Sequence, residues 1–305
     1  MRKLIAPAIG AIATVVLVAA PAAEARSKWA DVRVVTNTGD TLADHRQYTE
    51  NVAVDASRKA DCFGETNPSS NKDYKLRDPN VLGALIDASE SDDDLMPLLI
   101  TDAFVDDGFG FGVCDIGGVE TSGFSYWYSS ANGVGATTGP DLIPVQNGDE
   151  NLWYLTTGNE AGFPSELSID APTAVLTNDP YTVTVTRTLP DGMTEPAEGV
   201  SVGGETTGPD GTAELTAKEG TNRLVATGGP DDVFSKTVKV CAAATLASCP
   251  ARFGIRIYGS DQDDRIRSTF GDDVIKCGRG DDLVTNSQRG DRIAENCERV
   301  KRSRR

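Results

Sequence analysis

Residues 259–294 read GSDQDDRIR, STFGDDVIK, CGRGDDLVT and NSQRGDRIA when they are divided into blocks of nine. The sixth residue of each block is an aspartate, and an apolar residue follows two places later; these residues are Asp264, Asp273, Asp282 and Asp291, followed by Ile266, Ile275, Val284 and Ile293. A fixed short period is typical of a chain that stacks similar turns on one another. It predicts a β-rich repeat segment over 250–298, with the apolar side chains stacked inside.

This nonapeptide pattern resembles the calcium-binding β-rolls of the RTX, or haemolysin-type, family. In that family six residues form a turn and three form a short strand, and the sixth residue meets the turn two repeats further on. The resemblance implies that Asp264 pairs with the turn of Asp282, and Asp273 with that of Asp291. A Ca²⁺ ion takes about 6–8 oxygen ligands, so four repeats imply two calcium sites at most.

Departures from the family pattern leave a metal-free alternative open. The doubled glycine is absent, since the first place is glycine only at Gly259 and the second only at Gly278. Basic residues stand among the acids, at Arg265, Arg267, Lys276, Arg279, Arg289 and Arg292. Salt bridges from these side chains would neutralise the aspartates. The repeats would then form a structural cap held by a disulfide.

The segment before the repeats, residues 26–160, contains all three tryptophans of the chain, which indicates a compact aromatic core. Residues 77–90 predict a helix capped by Asp78 with Pro79 as its first residue, because apolar residues recur there at helical spacing. Alternating residues predict strands at 30–36, 50–56, 98–104, 111–118, 125–130 and 151–155. One helix among several strands indicates an α+β domain.

Four motifs of this segment occur in a recognisable order: NVLGALIDASE (80–90), DGFGFGVCDIGGV (107–119), SYWYSSANGV (125–134) and PVQNGDENLWYL (144–155). They resemble a bacterial domain of unknown function related to the C-terminal, β-grasp-like domain of transcobalamin. The resemblance implies a β-grasp-like fold and ligand binding, with Trp127, Tyr128 and Trp153 as the candidate ligand platform. The alternative is that these aromatic residues build the core, because alternating aromatics on strands pack on each other.

Residues 165–242 differ from both neighbours, being rich in Thr, Val and Pro. Short alternating runs at 181–187 and 213–217 are bounded by Pro-Asp-Gly turns, as expected of a small Ig-like β-sandwich. Such a module acts as a spacer. A basic tail, residues 299–305, closes the chain and is either a solvated end or a contact with an anionic wall polymer.

The N-terminal 25 residues predict export. Arg2 and Lys3 precede an apolar stretch, and the segment ends in Ala-Glu-Ala at 23–25, the pattern of a cleaved signal peptide. Six cysteines in an exported chain predict disulfides. Their spacing favours the local pairs Cys62–Cys114, Cys241–Cys249 and Cys277–Cys297. We therefore expect a secreted or cell-wall-associated protein without a membrane span after cleavage.

Charge and composition exclude several functions. The chain has 305 residues and a formal net charge of −17, which repels phosphate backbones and excludes nucleic acid as a partner. Its one histidine, His45, excludes chemistry that needs two imidazoles. The sequence therefore predicts a non-catalytic binding protein for an extracellular ligand or surface partner. The alternative is a structural envelope protein that binds no small molecule.

Overall fold

The computed structural model describes residues 27–64, 67–123, 125–156 and 163–303. Within these ranges the protein is mainly β, with several sheets and one α-helix. No helix in the described part of the chain is long and apolar enough to cross a membrane. The predicted signal peptide at 1–25 lies outside the described residues, as do the last two residues of the basic tail.

The first unit contains ten strands and the helix, and its largest sheet runs through its centre. Parallel pairing of β1 with β10 and antiparallel pairing of β1 with β2 and of β10 with β8 form this central sheet. The elements are β1 Lys28–Val35, β2 Thr41–Thr49, β3 Val52–Asp55, β4 Asp73–Leu76, α1 Val81–Ser91, β5 Leu98–Phe104, β6 Gly110–Ile116, β7 Val119–Glu120, β8 Trp127–Ala131, β9 Val134–Gly135 and β10 Asp149–Leu155.

Helix α1 is the predicted helix, but its start differs from the expected one. The cap is Asn80, not Asp78, because Asn80 Oδ1 accepts a hydrogen bond from the backbone N–H of Gly83 at 2.8 Å. Helical residues begin at Val81, so Pro79 lies before the helix. The helix buries Leu82 and Leu85 in the core between the central sheet and the remaining strands.

Replacing Asn80 by alanine tests the cap. We expect a loss of about 1 kcal/mol in the free energy of unfolding, since the Gly83 N–H loses its side-chain acceptor. Chemical denaturation measures it, with Asp78→Ala as the matched control, whose side chain forms no cap. If Asp78→Ala lowers the free energy of unfolding as much as Asn80→Ala or more, Asp78 is the capping residue.

The second unit consists of eleven strands around one apolar core. Val200, Val202, Ala213 and Leu215 are buried in it. The strands are β11 Ser165–Asp170, β12 Ala174–Leu176, β13 Pro180–Thr188, β14 Thr194–Pro196, β15 Ser201–Val202, β16 Glu205–Thr206, β17 Thr212–Thr216, β18 Gly220–Leu224, β19 Ala226–Thr227, β20 Asp232–Val233 and β21 Val238–Ala243.

The repeat segment forms a small roll of parallel strands. Paired residues are 18 positions apart in the first layer, as in Arg256 with Val274 and Val274 with Arg292, so two nonapeptides make one coil. Ile266, Ile275 and Val284 are fully buried between the two layers, as the period predicts, whereas Ile293 is only partly buried. The strands are β22 Arg256–Tyr258, β23 Val274–Lys276, β24 Leu283–Ser287, β25 Arg292–Ile293 and β26 Arg299–Arg302.

The roll shares a sheet with the first unit. Strand β22 pairs in parallel with β2, so the central sheet of the first unit continues into the roll as β9–β8–β10–β1–β2–β22–β23–β25. Buried Gln47 donates from Nε2 to the Gly259 carbonyl at 3.0 Å. The roll therefore shares its backbone hydrogen bonding with the first unit.

Three disulfides link the six cysteines as Cys62–Cys114, Cys241–Cys249 and Cys277–Cys297. These are the local pairs expected from the spacing. Cys277 and Cys297 belong to the apolar interior of the roll. Three structural disulfides are typical of proteins from oxidising, extracellular compartments.

Candidate functional site

The repeat aspartates are stacked on one another along the roll. Asp273 Oδ1 accepts from the Ile255 N–H at 3.0 Å, Asp282 Oδ1 from the Asp264 N–H at 2.7 Å, and Asp291 Oδ1 from the Asp273 N–H at 3.0 Å. The structure thus brings together Asp264 with Asp282, and Asp273 with Asp291, which are the two pairings implied by the nonapeptide pattern. The two pairs lie at different turns of the roll, and their surroundings differ.

The Asp273/Asp291 turn is saturated with hydrogen-bond donors. Thr269 donates from its backbone N–H to Asp273 Oδ2 at 2.6 Å and from its hydroxyl to Asp273 Oδ1 at 2.8 Å. Asp291 Oδ2 accepts from the Gln288 N–H at 2.7 Å, and the Ser268 hydroxyl lies 2.7 Å from the same oxygen. Each of the four carboxylate oxygens at this turn therefore has a donor.

The Asp264/Asp282 turn leaves two carboxylate oxygens without a hydrogen bond of normal length. Asp264 Oδ2 accepts from the backbone N–H and the hydroxyl of Ser260, at 2.6 and 2.9 Å. Asp264 Oδ1 and Asp282 Oδ2 are buried and accept no hydrogen bond of normal length from the described residues. The Ser27 hydroxyl interacts with the Asp264 carboxylate and lowers its pKa. The two residues are 2% and 0% exposed, and Asp264 borders an open groove.

Glycine removes one hydroxyl from each strand of this turn. Gly259 before Asp264 stands where Ser268 stands before Asp273, and Gly278 before Asp282 stands where Thr269 does. Ser260 keeps a hydroxyl in the remaining place before Asp264. A Cβ atom at Gly259 would lie 2.0 Å from the Cys277 carbonyl oxygen, and one at Gly278 would lie 2.0 Å from that of Ser260. The backbones pack too closely there for any side chain.

Burial makes ionisation costly at this turn. Burial, together with the neighbouring Asp264 carboxylate, raises the pKa of the Asp282 carboxyl to about 7 against the lowering effect of the hydrogen bond from the Asp264 N–H. Burial also raises the pKa of Asp264. Two stacked carboxylates in such a place are stabilised by a cation.

The two turns fit calcium differently. At the Asp273/Asp291 turn a cation would meet N–H and O–H donors, so the residues there do not fit Ca²⁺. At the Asp264/Asp282 turn two anionic oxygens lack hydrogen bonds of normal length, and hard oxygen ligands are those that Ca²⁺ prefers. No group of three or more His, Cys, Asp or Glu side chains in the described ranges is placed to hold a metal. The remaining ligands would therefore be backbone carbonyls and water.

An open groove of about 1270 Å³ lies between the first unit and the roll. Asp264 contributes to its floor, and Trp29 to the wall on the first unit, where the Arg46 guanidinium stacks on the indole at 3.7 Å from the ring centroid. The groove is polar, and its other lining residues are Ser27, Lys28, Tyr48, Glu50, Asn51, Asn147, Gln262, Asp263, Arg265, Arg267, Asp281, Leu283 and Arg299.

The aromatic residues expected to form a ligand platform are mostly core residues, which corrects that expectation. Trp127 and Trp153 are 5% and 1% exposed and pack in the main core of the first unit. Trp127 donates from its indole N–H to the Val119 carbonyl at 2.8 Å. Tyr128 is half-buried and stacks on Phe163, with ring centroids 4.0 Å apart. The two indole faces are thus covered by protein.

His45 is buried beside Tyr258, with ring centroids 4.3 Å apart, and burial lowers the pKa of its imidazole to about 4. The ring is therefore neutral at physiological pH and acts as a packing group at the junction with the roll.

No protein-family model matches the chain, and no curated protein or solved structure is significantly similar to it. The function is therefore argued from the groove and from the two turns of the roll.

Proposed function

We propose that the protein is a secreted, non-catalytic binding protein whose β-roll takes one calcium ion at the Asp264/Asp282 turn. The observation that carries this proposal is the pair of buried carboxylate oxygens, Asp264 Oδ1 and Asp282 Oδ2, that accept no hydrogen bond of normal length from the described residues. A bound cation would satisfy both and remove the cost of two buried charges.

The binding role is supported by the groove next to this turn. Asp264 belongs both to the calcium turn and to the groove floor, so an ion there would order one side of the groove. An extracellular location favours calcium binding. Extracellular calcium-binding modules have dissociation constants of about 10⁻⁴–10⁻³ M, so a weak site suffices there. The ligand or surface partner would lie along the polar walls of the groove.

A structural envelope protein is the second candidate, favoured by a different observation. The core around Trp127 and Trp153 is filled, and the Asp273/Asp291 turn is held by hydrogen bonds alone. If the Asp264/Asp282 turn also needs no metal, the roll is a cap fixed by Cys277–Cys297.

Thermal unfolding of the full chain in calcium and in EDTA tests the proposal. We expect calcium to stabilise the native protein by about 2.7 kcal/mol when it is present at 100 times its dissociation constant. Asp282→Asn should abolish this increment because it removes an anionic ligand. Asp291→Asn, the matched change at the other turn, should keep it.

The same variants in EDTA provide the control. Asp282→Asn should then cost little or stabilise, because it removes a buried unpaired charge. Asp291→Asn should cost about 1–3 kcal/mol, because a donor at its turn loses an acceptor. A native protein that does not respond to calcium would favour the structural cap. Equal loss of the response at both turns would contradict the assignment to one turn.

A further inference from the structure

The outward side of the second layer of the roll is basic. Ile266 and Val284 point inward and are fully buried, so the residues on either side of them point outward. Arg267 bridges to Thr285, and Leu283 of β24 pairs with Arg299 of β26, which places these strands side by side. The basic face formed in this way consists of the exposed side chains Arg265, Arg267, Arg299 and Lys301.

Two arginines of this face are free to bind an anion. Among the described residues, Arg265 and Arg267 have no ion-pair partner, whereas Arg299 pairs with Asp281 at 3.0 Å. Three of the four repeat aspartates are buried inside the roll, so their charges do not lie on this face. The basic face is unusual in a chain of net charge −17 that has no Lys or Arg between residues 78 and 186.

The basic face and the groove form one continuous surface. Arg265, Arg267 and Arg299 line the groove on the roll side. On the opposite wall lie Trp29 and Asn51, and Gln262 joins the two sides by donating to the Asn51 carbonyl at 2.8 Å. A ligand in the groove would meet guanidinium groups on one side and an aromatic ring and amides on the other.

We propose that this surface binds a linear acidic polysaccharide, with the carboxylates of its sugar residues on Arg265 and Arg267. This proposal rests on the proposed binding role, but it does not require calcium. The groove is open, and its volume exceeds the roughly 300–1,000 Å³ of small-molecule pockets, which favours a polymer. Guanidinium groups bind carboxylates through paired hydrogen bonds, and amide groups suit sugar hydroxyls.

Other polymers fit the surface less well. Asp263 and Asp281 also line the groove, and their charges disfavour the dense phosphates of a nucleic acid. A peptide is usually anchored by buried apolar or aromatic side chains, whereas the groove lining is mostly polar. A polymer with one carboxylate per sugar ring and hydroxyls between them matches the spaced cations best.

Calorimetric titration of the full chain with polygalacturonate tests the proposal. Arg265→Ala/Arg267→Ala should weaken binding at least tenfold, because two carboxylate contacts are lost. The matched control is Arg256→Ala/Arg292→Ala, two exposed arginines on the other layer of the roll, which should change the affinity less than twofold. Binding should weaken as sodium chloride screens the charges, and neutral dextran should not bind.

Three outcomes would overturn it: no binding of polygalacturonate, equal weakening in both double variants, or equally tight binding of duplex DNA. Repeating the titration in EDTA separates this proposal from the calcium site. Binding that survives in EDTA and is lost in Arg265→Ala/Arg267→Ala supports the surface even if calcium has no effect on stability. If calcium stabilises the protein but polygalacturonate does not bind, the calcium proposal stands and the polysaccharide proposal is wrong.

Discussion

Replacing Tyr48 by alanine is expected to lower the free energy of unfolding by about 3–5 kcal/mol, the usual loss for a buried aromatic side chain. Tyr48 lies on β2 of the first unit, but its ring is 4% exposed and packs in the roll interior with Ile257 and Ile266. Its hydroxyl also accepts from the Arg267 N–H at 3.1 Å. The variant therefore loses both packing and a hydrogen bond at the junction.

Urea denaturation with far-ultraviolet circular dichroism measures this loss, and Tyr126→Ala is the matched control. Tyr126 is 37% exposed, so its truncation should lower the free energy of unfolding by about 1 kcal/mol or less, close to the effect of an ordinary surface substitution. A loss for Tyr48→Ala no larger than that of the control would contradict the shared core. So would a roll that unfolds in a separate transition of the native protein.

Replacing Cys277 and Cys297 together by alanine is expected to cost about 3 kcal/mol, the entropy of closing a loop of this size in the unfolded chain. The two residues are 20 positions apart and join the end of the roll to its centre. Few repeats stack here, so the disulfide contributes stability that a longer roll would gain from further coils.

The double change Cys241→Ala/Cys249→Ala is the control for this prediction. That disulfide closes a loop of only 8 residues and lies outside the roll, so its loss should be smaller. We expect calcium to restore part of the stability of the Cys277/Cys297 variant, because the proposed calcium turn is a neighbouring turn. An equal loss in both double variants, with no effect of calcium on either, would contradict the role of this disulfide in the roll.

The repeat period carried most of the information about the roll. Aspartates nine residues apart, each followed by an apolar residue, correctly predict that Ile266, Ile275 and Val284 are buried. The resemblance to β-rolls implies that Asp264 lies beside Asp282, and the two are in contact. These features are local in the sequence, because each coil contacts only the next one.

The junction between the roll and the first unit was not predictable from the same pattern. Strand β2, residues 41–49, reads TLADHRQYT, and its buried face contains His45 and Gln47. A strand with polar residues on its buried face does not show the alternation of apolar and polar residues by which strands are predicted. Its polar side chains are buried because they pack against the roll, a contact between residues more than 200 positions apart.

The difference between the two turns was visible in the sequence but requires the structure to interpret. Ser268 and Thr269 precede Asp273 where Gly259 and Ser260 precede Asp264. Only the structure shows that hydroxyls and backbone N–H groups donate to every carboxylate oxygen at one turn and leave two oxygens at the other without a hydrogen bond of normal length from the described residues. The same holds for Trp127 and Trp153, since aromatic residues on alternating strands suit a core and a ligand platform equally well.

The number of calcium ions bound per full chain, measured by equilibrium dialysis, tests the central claim most directly. We predict one ion for the native protein and for Asp291→Asn, and none for Asp282→Asn. Two ions per native chain, or one ion that is lost in Asp291→Asn and retained in Asp282→Asn, would contradict the assignment of calcium to the Asp264/Asp282 turn.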